Sequence, residues 1–360
     1  MTRRRATESR GEFEAIDVMP LDIHPPLPPM EALSVEEIPV GDEWQYEPKW
    51  DGFRCLAFRD GEKIELQSKS CQPLARYFPE LVDAFRALKP GTFVLDGEIA
   101  IPENTTFSFD KLLQRIHPAA SRIKRLSTET PAVFIAFDLL ADADGKPLLE
   151  TPLARRRGPL EKFAAKFFRD DRLRLSPATT DIADAKKWLK SVGETLDGII
   201  AKRRDLDYRS GERTAVQKVK NHRSADCVIG GFRYLAGKSV VGSLLLGLYN
   251  DQGLLDHVGF TSMIKAAERP ALTKKLEALI EPPGFTGRAP GGPSRWNAGK
   301  STEWQPLRPK LVIEVSYDHF TGGRFRHGTK LLRWRPDKSP PQCTMDQVRQ
   351  ARGNLLQLLR

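Results

Sequence analysis

Around Lys218–Ser224 the character of this chain changes, and that break limits its possible folds more than any other feature. Before it, strand-like runs alternate with helical stretches. After it, short strands dominate: Ala225–Tyr234, Val241–Tyr249, Leu254–Phe260, Leu311–Asp318 and Phe325–Arg335, with one helix expected near Ser262–Ile280. Five short strands with a single intervening helix suit a small Greek-key barrel. Charge divides at the same place. Residues 1–220 hold 36 basic and 36 acidic side chains, so the whole net charge of +10 lies in 221–360. A neutral body joined to a basic barrel points to a polyanionic partner.

The first part reads as α+β. Phe53 to Phe58 and Lys63 to Ser68 alternate apolar and polar residues on either side of Asp60-Gly61, a strong hairpin signal. Tyr77–Leu88 places Leu81, Ala84, Phe85 and Leu88 on one helical face. Further strands are expected at Thr92–Ile101, Ala132–Leu140 and Gly198–Lys202, and helices near Leu153–Phe168 and Ile182–Val192. The proline-rich Ile23–Pro29 is extended rather than helical. Residues 1–24 are expected to be a basic, disordered tail, 25–220 the first domain, 221–345 the barrel, and 346–360 a carboxy-terminal helix or tail. The glycine- and proline-rich Pro282–Pro306 reads as an irregular loop.

Several classes are excluded. No stretch of about 18 uncharged apolar residues is present, which a membrane span requires. The basic start Met1–Arg5 has no apolar segment behind it, and acidic residues follow from Glu8, so neither a secretory nor a transit signal fits. Cys55, Cys71, Cys227 and Cys343 are scattered without CxxC spacing, as expected in a reducing cytosol. The six histidines show no HxH or HExxH pattern, so any metal is expected to arrive with a phosphate ligand.

Chemistry concentrates in six short motifs. In order they are Lys49-Trp50-Asp51-Gly52-Phe53-Arg54, Asp96-Gly97-Glu98, Phe134 to Leu140, Asp197-Gly198-Ile199-Ile200-Ala201-Lys202, Lys218-Val219-Lys220 and Arg333-Trp334-Arg335-Pro336-Asp337-Lys338. Lys49, set among bulky and charged neighbours, is expected to be partly desolvated and crowded by cations. Both effects lower an amine's pKa and free it for attack. The ordered series resembles the covalent nucleotidyltransferases, and among them the ATP-dependent DNA ligases. It is most similar to bacterial ligase C-type enzymes and the ligase module of the bacterial multi-domain end-joining ligase. The resemblance covers roughly residues 25–345.

That resemblance implies an adenylation (nucleotidyltransferase) domain followed by a smaller OB-fold barrel. It implies that Lys49 takes AMP from ATP, that Arg54 contacts the sugar, and that Glu98 binds a ribose hydroxyl. Phe137 would stack on adenine and Glu47 would read its amino group. Lys218 and Lys220, on alternate residues of one strand, would share the α-phosphate. Asp197 would bind the metal, Mg²⁺ or Mn²⁺, although many relatives carry glutamate there. Arg335 and Lys338 would swing over the nucleotide and orient the pyrophosphate. Lys69 would contact the nucleic-acid backbone, where the family usually has arginine.

The leading reading is an ATP-dependent enzyme that seals nicks with 5′-phosphate and 3′-hydroxyl ends, in DNA repair. Its partners would be nicked double-stranded DNA and bacterial end-joining or gap-filling repair proteins, with no membrane. A cytoplasmic, nucleoid-associated monomer is expected. An RNA ligase or a GTP-dependent capping-type nucleotidyltransferase uses the same lysine chemistry. A non-catalytic single-strand-binding barrel would use Phe232, Tyr234, Trp296, Trp304 and Trp334 as stacking platforms, but it leaves the first domain unexplained.

Overall fold

Two mainly antiparallel sheets, each with one parallel edge pair, stack face to face in the first part of the molecule, and a cleft opens between them. The structure is a computed structural model and describes residues 21–191, 195–221, 223–291, 303–349 and 353–359. The larger sheet has the strand order Lys63–Ser68, Phe53–Asp60, Thr92–Ala100, Val133–Ala141 and Leu173–Leu175, the last pair being parallel. The smaller sheet runs Leu33–Ser34, Val216–Lys220, Gly198–Arg203, Trp44–Pro48.

Alternation along each strand decides which layer a side chain joins. In Phe53–Asp60, Cys55 and Ala57 face a core built with Leu81, Phe85, Phe93, Phe134 and Phe163. Leu56 and Phe58 face the opposite way, toward Tyr208, Ala215 and Val216. The larger sheet is therefore covered on both faces, by helices Pro79–Arg86 and Leu153–Phe167 on one side and by the smaller sheet on the other. Each large apolar side chain buried this way contributes about 1.5–3 kcal/mol.

The second part is the expected barrel, and the whole chain is α+β. Its strands follow the order Leu255–Thr261, Val241–Tyr249, Arg223–Tyr234, Val312–Tyr317, Lys330–Trp334, all antiparallel, around Phe232, Leu244, Leu246, Ile313 and Val315.

Several sequence expectations need correction. The run Phe325–Arg335 is not one strand. Arg324–Phe325 pairs with Phe320–Thr321 in a small hairpin turned by Gly322-Gly323, and only Lys330–Trp334 joins the barrel. The helix expected over Ser262–Ile280 spans only Arg269–Glu277, because Pro270 occupies its first turn, where a missing N–H costs nothing. Helices Phe109–Gln114 and Ala120–Glu129 had no sequence expectation.

The chain ends also differ. Leu21 and Ile23, assigned to the disordered tail, are buried against the larger sheet. The carboxy-terminal Leu355–Leu359 is a 3-10 helix whose Leu355 is buried beside Trp44, Tyr46 and Trp50 of the first part. Residues 1–20, and residues 292–302 of the Pro282–Pro306 loop with Trp296 among them, lie outside the described residues.

Candidate active site

The Lys49–Arg54 motif bridges the two sheets. The strand Trp44–Pro48 belongs to the smaller sheet and Phe53–Asp60 to the larger, so Lys49 emerges where the chain crosses between them. Gly52 makes the crossing possible, since a Cβ there would lie 2.2 Å from the Ile99 carbonyl oxygen. Gly198 plays the same part on the smaller sheet. Its φ is +147° and a Cβ would lie 2.0 Å from the Val219 carbonyl oxygen. Both glycines therefore hold backbone positions that a side chain would push apart.

One pocket collects most of the motif residues. It is lined by Glu47, Lys49, Arg54, Glu98, Phe137 and Lys218, and also by Lys69, Lys202 and Asp138. Phe137 is not simply a core aromatic. Its ring lies 4.6 Å from the Arg54 guanidinium and 4.5 Å from the Lys202 ammonium, two cation–π contacts at the pocket wall. Arg54 is itself held by a bidentate pair with the buried Asp96, 2.6 Å on each arm, and the Tyr208 hydroxyl donates to the same carboxylate at 2.6 Å. Next to Phe137, Asp138 is fixed by a buried bidentate pair with Arg156.

Glu47 is fully engaged. Gln45 donates to one oxygen at 2.9 Å, and the Lys202 ammonium pairs with the other at 2.9 Å. Lys202 also donates to the Phe137 carbonyl at 3.2 Å. Lys202 and Asp96 were not singled out as site residues from sequence, although both stand inside the quoted motifs. Their signal was a charged residue on an otherwise apolar strand, which must find a partner when buried.

The electrostatics of Lys49 reverse the sequence expectation. Burial works to lower its pKa, but the Asp197 carboxylate outweighs burial, with Glu98 and Asp51 adding to it, and the net shift is upward. Lys49 and Asp197 form a direct ion pair. Crowding by cations falls instead on Lys218, whose pKa is lowered by burial and then by Lys49 and Lys69. Glu98 is pushed up to about 8, chiefly by burial and against the pull of Arg54 and Lys49. Burial alone would raise Asp197, but the His319 hydrogen bond and the Lys49 ammonium hold it down to about 2.

The barrel reaches this site by an unexpected segment. His319 Nε2 lies 2.5 Å from Asp197 Oδ1, and Arg326 donates to both oxygens of Asp51 at 2.8 and 3.0 Å. Arg326 also stacks over the Phe109 ring. Lys220, expected beside Lys218 on the phosphate, turns instead to Asp318 of the barrel at 2.8 Å. Asp51, Asp197 and His319 bring their ligand atoms within 4.8 Å of one another. Two carboxylates and an imidazole fit a divalent cation such as Mn²⁺, and Mg²⁺ with waters completing its shell. Histidine spacing could not reveal the group, because its members come from three distant segments.

Arg335 and Lys338 are elsewhere. Arg335 pairs with Asp226 at 2.8 Å and with Asp337 at 2.8 Å, and Lys338 pairs with Asp226 at 2.7 Å. Neither lines the pocket. Lys69, following the strand Lys63–Ser68, stands at the pocket rim, 3.6 Å from Glu31.

The chain is similar to proteins already known. A family described as "ATP dependent DNA ligase domain" matches residues 29–220, and one described as "ATP dependent DNA ligase C terminal region" matches 237–338. The chain is 44% identical over 346 residues to "DNA ligase C2" of Mycolicibacterium smegmatis, covering 92% of this chain and 96% of that protein. It is 31% identical over 314 residues to the "Multifunctional non-homologous end joining DNA repair protein LigD" of Mycobacterium tuberculosis, covering 84% of this chain and 38% of that protein. Among solved structures, a "Lig E" DNA ligase is similar in fold, with a TM-score of 0.51 at 16% identity, over 85% of this chain and all of that one.

Proposed function

The chain belongs to the ATP-dependent DNA ligase family, and on that premise we propose how its cleft seals a DNA strand. The protein is an ATP-dependent DNA ligase. The observation that carries the residue assignment is the convergence of Glu47, Lys49, Arg54, Glu98, Phe137 and Lys218 on one pocket from four separate motifs.

Lys49 Nζ attacks the α-phosphorus of ATP, the bond to the β-phosphate oxygen breaks, and pyrophosphate leaves. An oxygen of the DNA 5′-phosphate then attacks the phosphorus of lysyl-AMP and the N–P bond breaks, returning the amine. Finally the 3′-hydroxyl attacks the 5′-phosphate and AMP leaves. All three are displacements at phosphorus, where positioning and charge stabilisation supply most of the rate.

Phe137 supports the adenine face, and Glu47 reads the base edge with its orientation fixed by Gln45 and Lys202. Arg54 and Glu98 address the sugar. Lys218 holds the α-phosphate. Lys202 stays at the base end of the pocket, paired with Glu47 and lying over the Phe137 ring. Asp197 with Asp51 and His319 would hold Mg²⁺ or Mn²⁺, which when bound neutralises charge on the reacting phosphates. Asp197 also governs the nucleophile. While it pairs with Lys49 the amine stays charged, and once that pair opens, burial favours the neutral amine.

Arg335 and Lys338 act from the barrel on the pyrophosphate. They must leave Asp226 to do so, and Lys220 then has to leave Asp318 to join Lys218. Lys69 contacts the DNA backbone near the nick. The substrate is nicked duplex DNA. The setting is repair with end-joining or gap-filling partners, by a monomer in the bacterial cytoplasm at the nucleoid. Labelling with α-phosphate-labelled ATP against GTP, followed by sealing of nicked DNA against nicked RNA, tests the reading. Labelling by GTP alone, or sealing of RNA alone, would overturn it.

A further inference from the structure

The segment that precedes the six motifs forms part of the pocket. Pro29, Met30, Glu31 and Ala32 line it beside Arg54. An extended proline-rich approach has no internal hydrogen bonds to hold its shape, so its position must be fixed from outside. At one end the Gln67 amide donates to the Leu27 carbonyl at 2.6 Å and accepts the Leu27 N–H at 2.9 Å. At the other end the work falls to residues 208–213, which lie between the Asp197–Lys202 and Lys218–Lys220 motifs. The Ser210 hydroxyl donates to the Pro28 carbonyl at 2.6 Å, and the Glu31 N–H donates to the Glu212 carbonyl at 2.7 Å. The Met30 N–H donates to the Tyr208 hydroxyl at 3.0 Å.

Tyr208 carries this chain of bonds onward. Its hydroxyl donates to Asp96 Oδ2 at 2.6 Å, the oxygen that also accepts from Arg54 Nη2, while Arg54 Nε donates to Oδ1. Met30, Tyr208 and Asp96 are 4%, 5% and 0% exposed, so these partners are shielded from water. A bidentate pair fixes carboxylate and guanidinium relative to each other. It does not fix the pair relative to the pocket, because aspartate χ2 is a soft, roughly two-fold torsion. The phenol supplies the third contact. Its ring is itself held, packed with Leu56, Phe58 and Leu140, with its N–H donating to the Leu149 carbonyl at 2.8 Å. The Arg156 guanidinium lies 5.6 Å from that ring and pairs with Asp138, the neighbour of Phe137. One phenol therefore touches the supports of both Arg54 and Phe137.

A buried tyrosine hydroxyl needs a partner, and any backbone carbonyl would satisfy it. Here the proton is directed at the carboxylate behind a pocket arginine, and the oxygen accepts from the pocket wall. We propose that Tyr208 is a positioning residue for the nucleotide. By fixing Asp96 it sets the angle of Arg54 against a sugar hydroxyl, and it locks Met30 in place as a wall of the same pocket. Tyr208 does not line the pocket and touches no reacting atom, so it acts on nucleotide binding and not on displacement at phosphorus. The inference rests on Arg54 contacting the sugar, as in the ligase reading.

The experiment follows adenylate formation at a series of concentrations of ATP, 2′-deoxyATP and 3′-deoxyATP, for wild type, Tyr208→Phe and Ser210→Ala, with melting curves to confirm folding. Tyr208→Phe should raise the half-saturating ATP concentration roughly 10-fold, the loss of one hydrogen bond to a charged group, and change the maximal rate less than about 3-fold. With the deoxy analogue that lacks the hydroxyl read by Arg54, the rise should shrink to about 3-fold or less. A lower maximal rate at unchanged half-saturation, or equal losses with all three nucleotides, would overturn the positioning role, because Tyr208 would then support the fold alone. Ser210→Ala leaves the phenol in place and frees Pro28, and should raise half-saturation about 3-fold. If Tyr208→Phe does not fold, an unchanged half-saturation in Ser210→Ala overturns the role of the wall. Wild type that uses both deoxy analogues as well as ATP would overturn the sugar contact of Arg54 itself. Wild type that discriminates, beside a Tyr208→Phe that discriminates equally, would overturn only the part given to Tyr208.

Discussion

The cleft and the last motif of the barrel, which the proposed mechanism joins in one reaction, are held by the protein in opposite ways. In the cleft, Arg54 is clamped by Asp96 and Tyr208, Glu47 by Gln45 and Lys202, and Phe137 lies under two cations before any nucleotide arrives. On the barrel, Arg335 and Lys338 are tied to Asp226, outside the pocket. Groups needed at every step sit on paired strands, where their geometry is fixed by register. The groups proposed for the leaving pyrophosphate are held aside by ion pairs to the buried Asp226, which closure would have to break. The active-site face of the barrel is taken by other residues, His319 and Arg326, that engage Asp197 and Asp51.

The contrast can be broken or sharpened in sequence, beginning with the largest effect. Lys49→Ala should abolish adenylate formation, a loss of more than ~10³-fold, while sealing of a pre-adenylated nick survives in part. Arg335→Ala and Lys338→Ala should cut self-adenylation roughly 10²-fold and leave sealing of the pre-adenylated nick much less affected. Equal losses in both assays would mean these residues act throughout the reaction, and the contrast would fail. Phe137→Ala should raise the KM for ATP about 10-fold, as expected from lost stacking. Asp226→Asn removes one anchor of the set-aside motif. It should speed self-adenylation a few-fold if that anchor restrains closure, and an unchanged rate would show that holding the motif aside costs nothing.

The smallest effect is one of pH. Glu98 has its pKa raised by burial to about 8, far above that of the same group in the unfolded chain. The folded protein therefore binds the extra proton, so this contribution is complete below the ordinary carboxylate range and is lost as pH rises toward 8. Melting temperatures of wild type should fall across that window. Glu98→Gln should flatten the fall, and parallel curves would remove Glu98 as its source.

The cleft was largely legible in the sequence because its residues lie within short motifs on strands, where order and spacing survive folding. Lys49, Arg54, Glu98, Phe137 and Lys218 all reach the pocket. What spacing could not supply was pairing between distant segments. Nothing local to Asp197 announces His319, 122 positions away, or the ion pair that raises the pKa of Lys49 instead of lowering it. Lys220 illustrates the same gap. Its alternation with Lys218 was visible, but the Asp318 carboxylate that captures it belongs to the other domain. The barrel was legible as a class through its short strands. Its broken last run was not, because Arg324–Phe325 pairs locally across two glycines rather than continuing into the sheet.

The central claim is that position 49 supplies the attacking amine from a pocket that also holds Lys202 and Lys218. Peptide mapping by mass spectrometry, after incubation with ATP and Mg²⁺, tests it most directly. The account predicts a single AMP on Lys49 and none on the Lys49→Ala protein. An adduct on Lys202, Lys218 or any other residue, or an unmodified Lys49 in protein that still seals nicks, would contradict it.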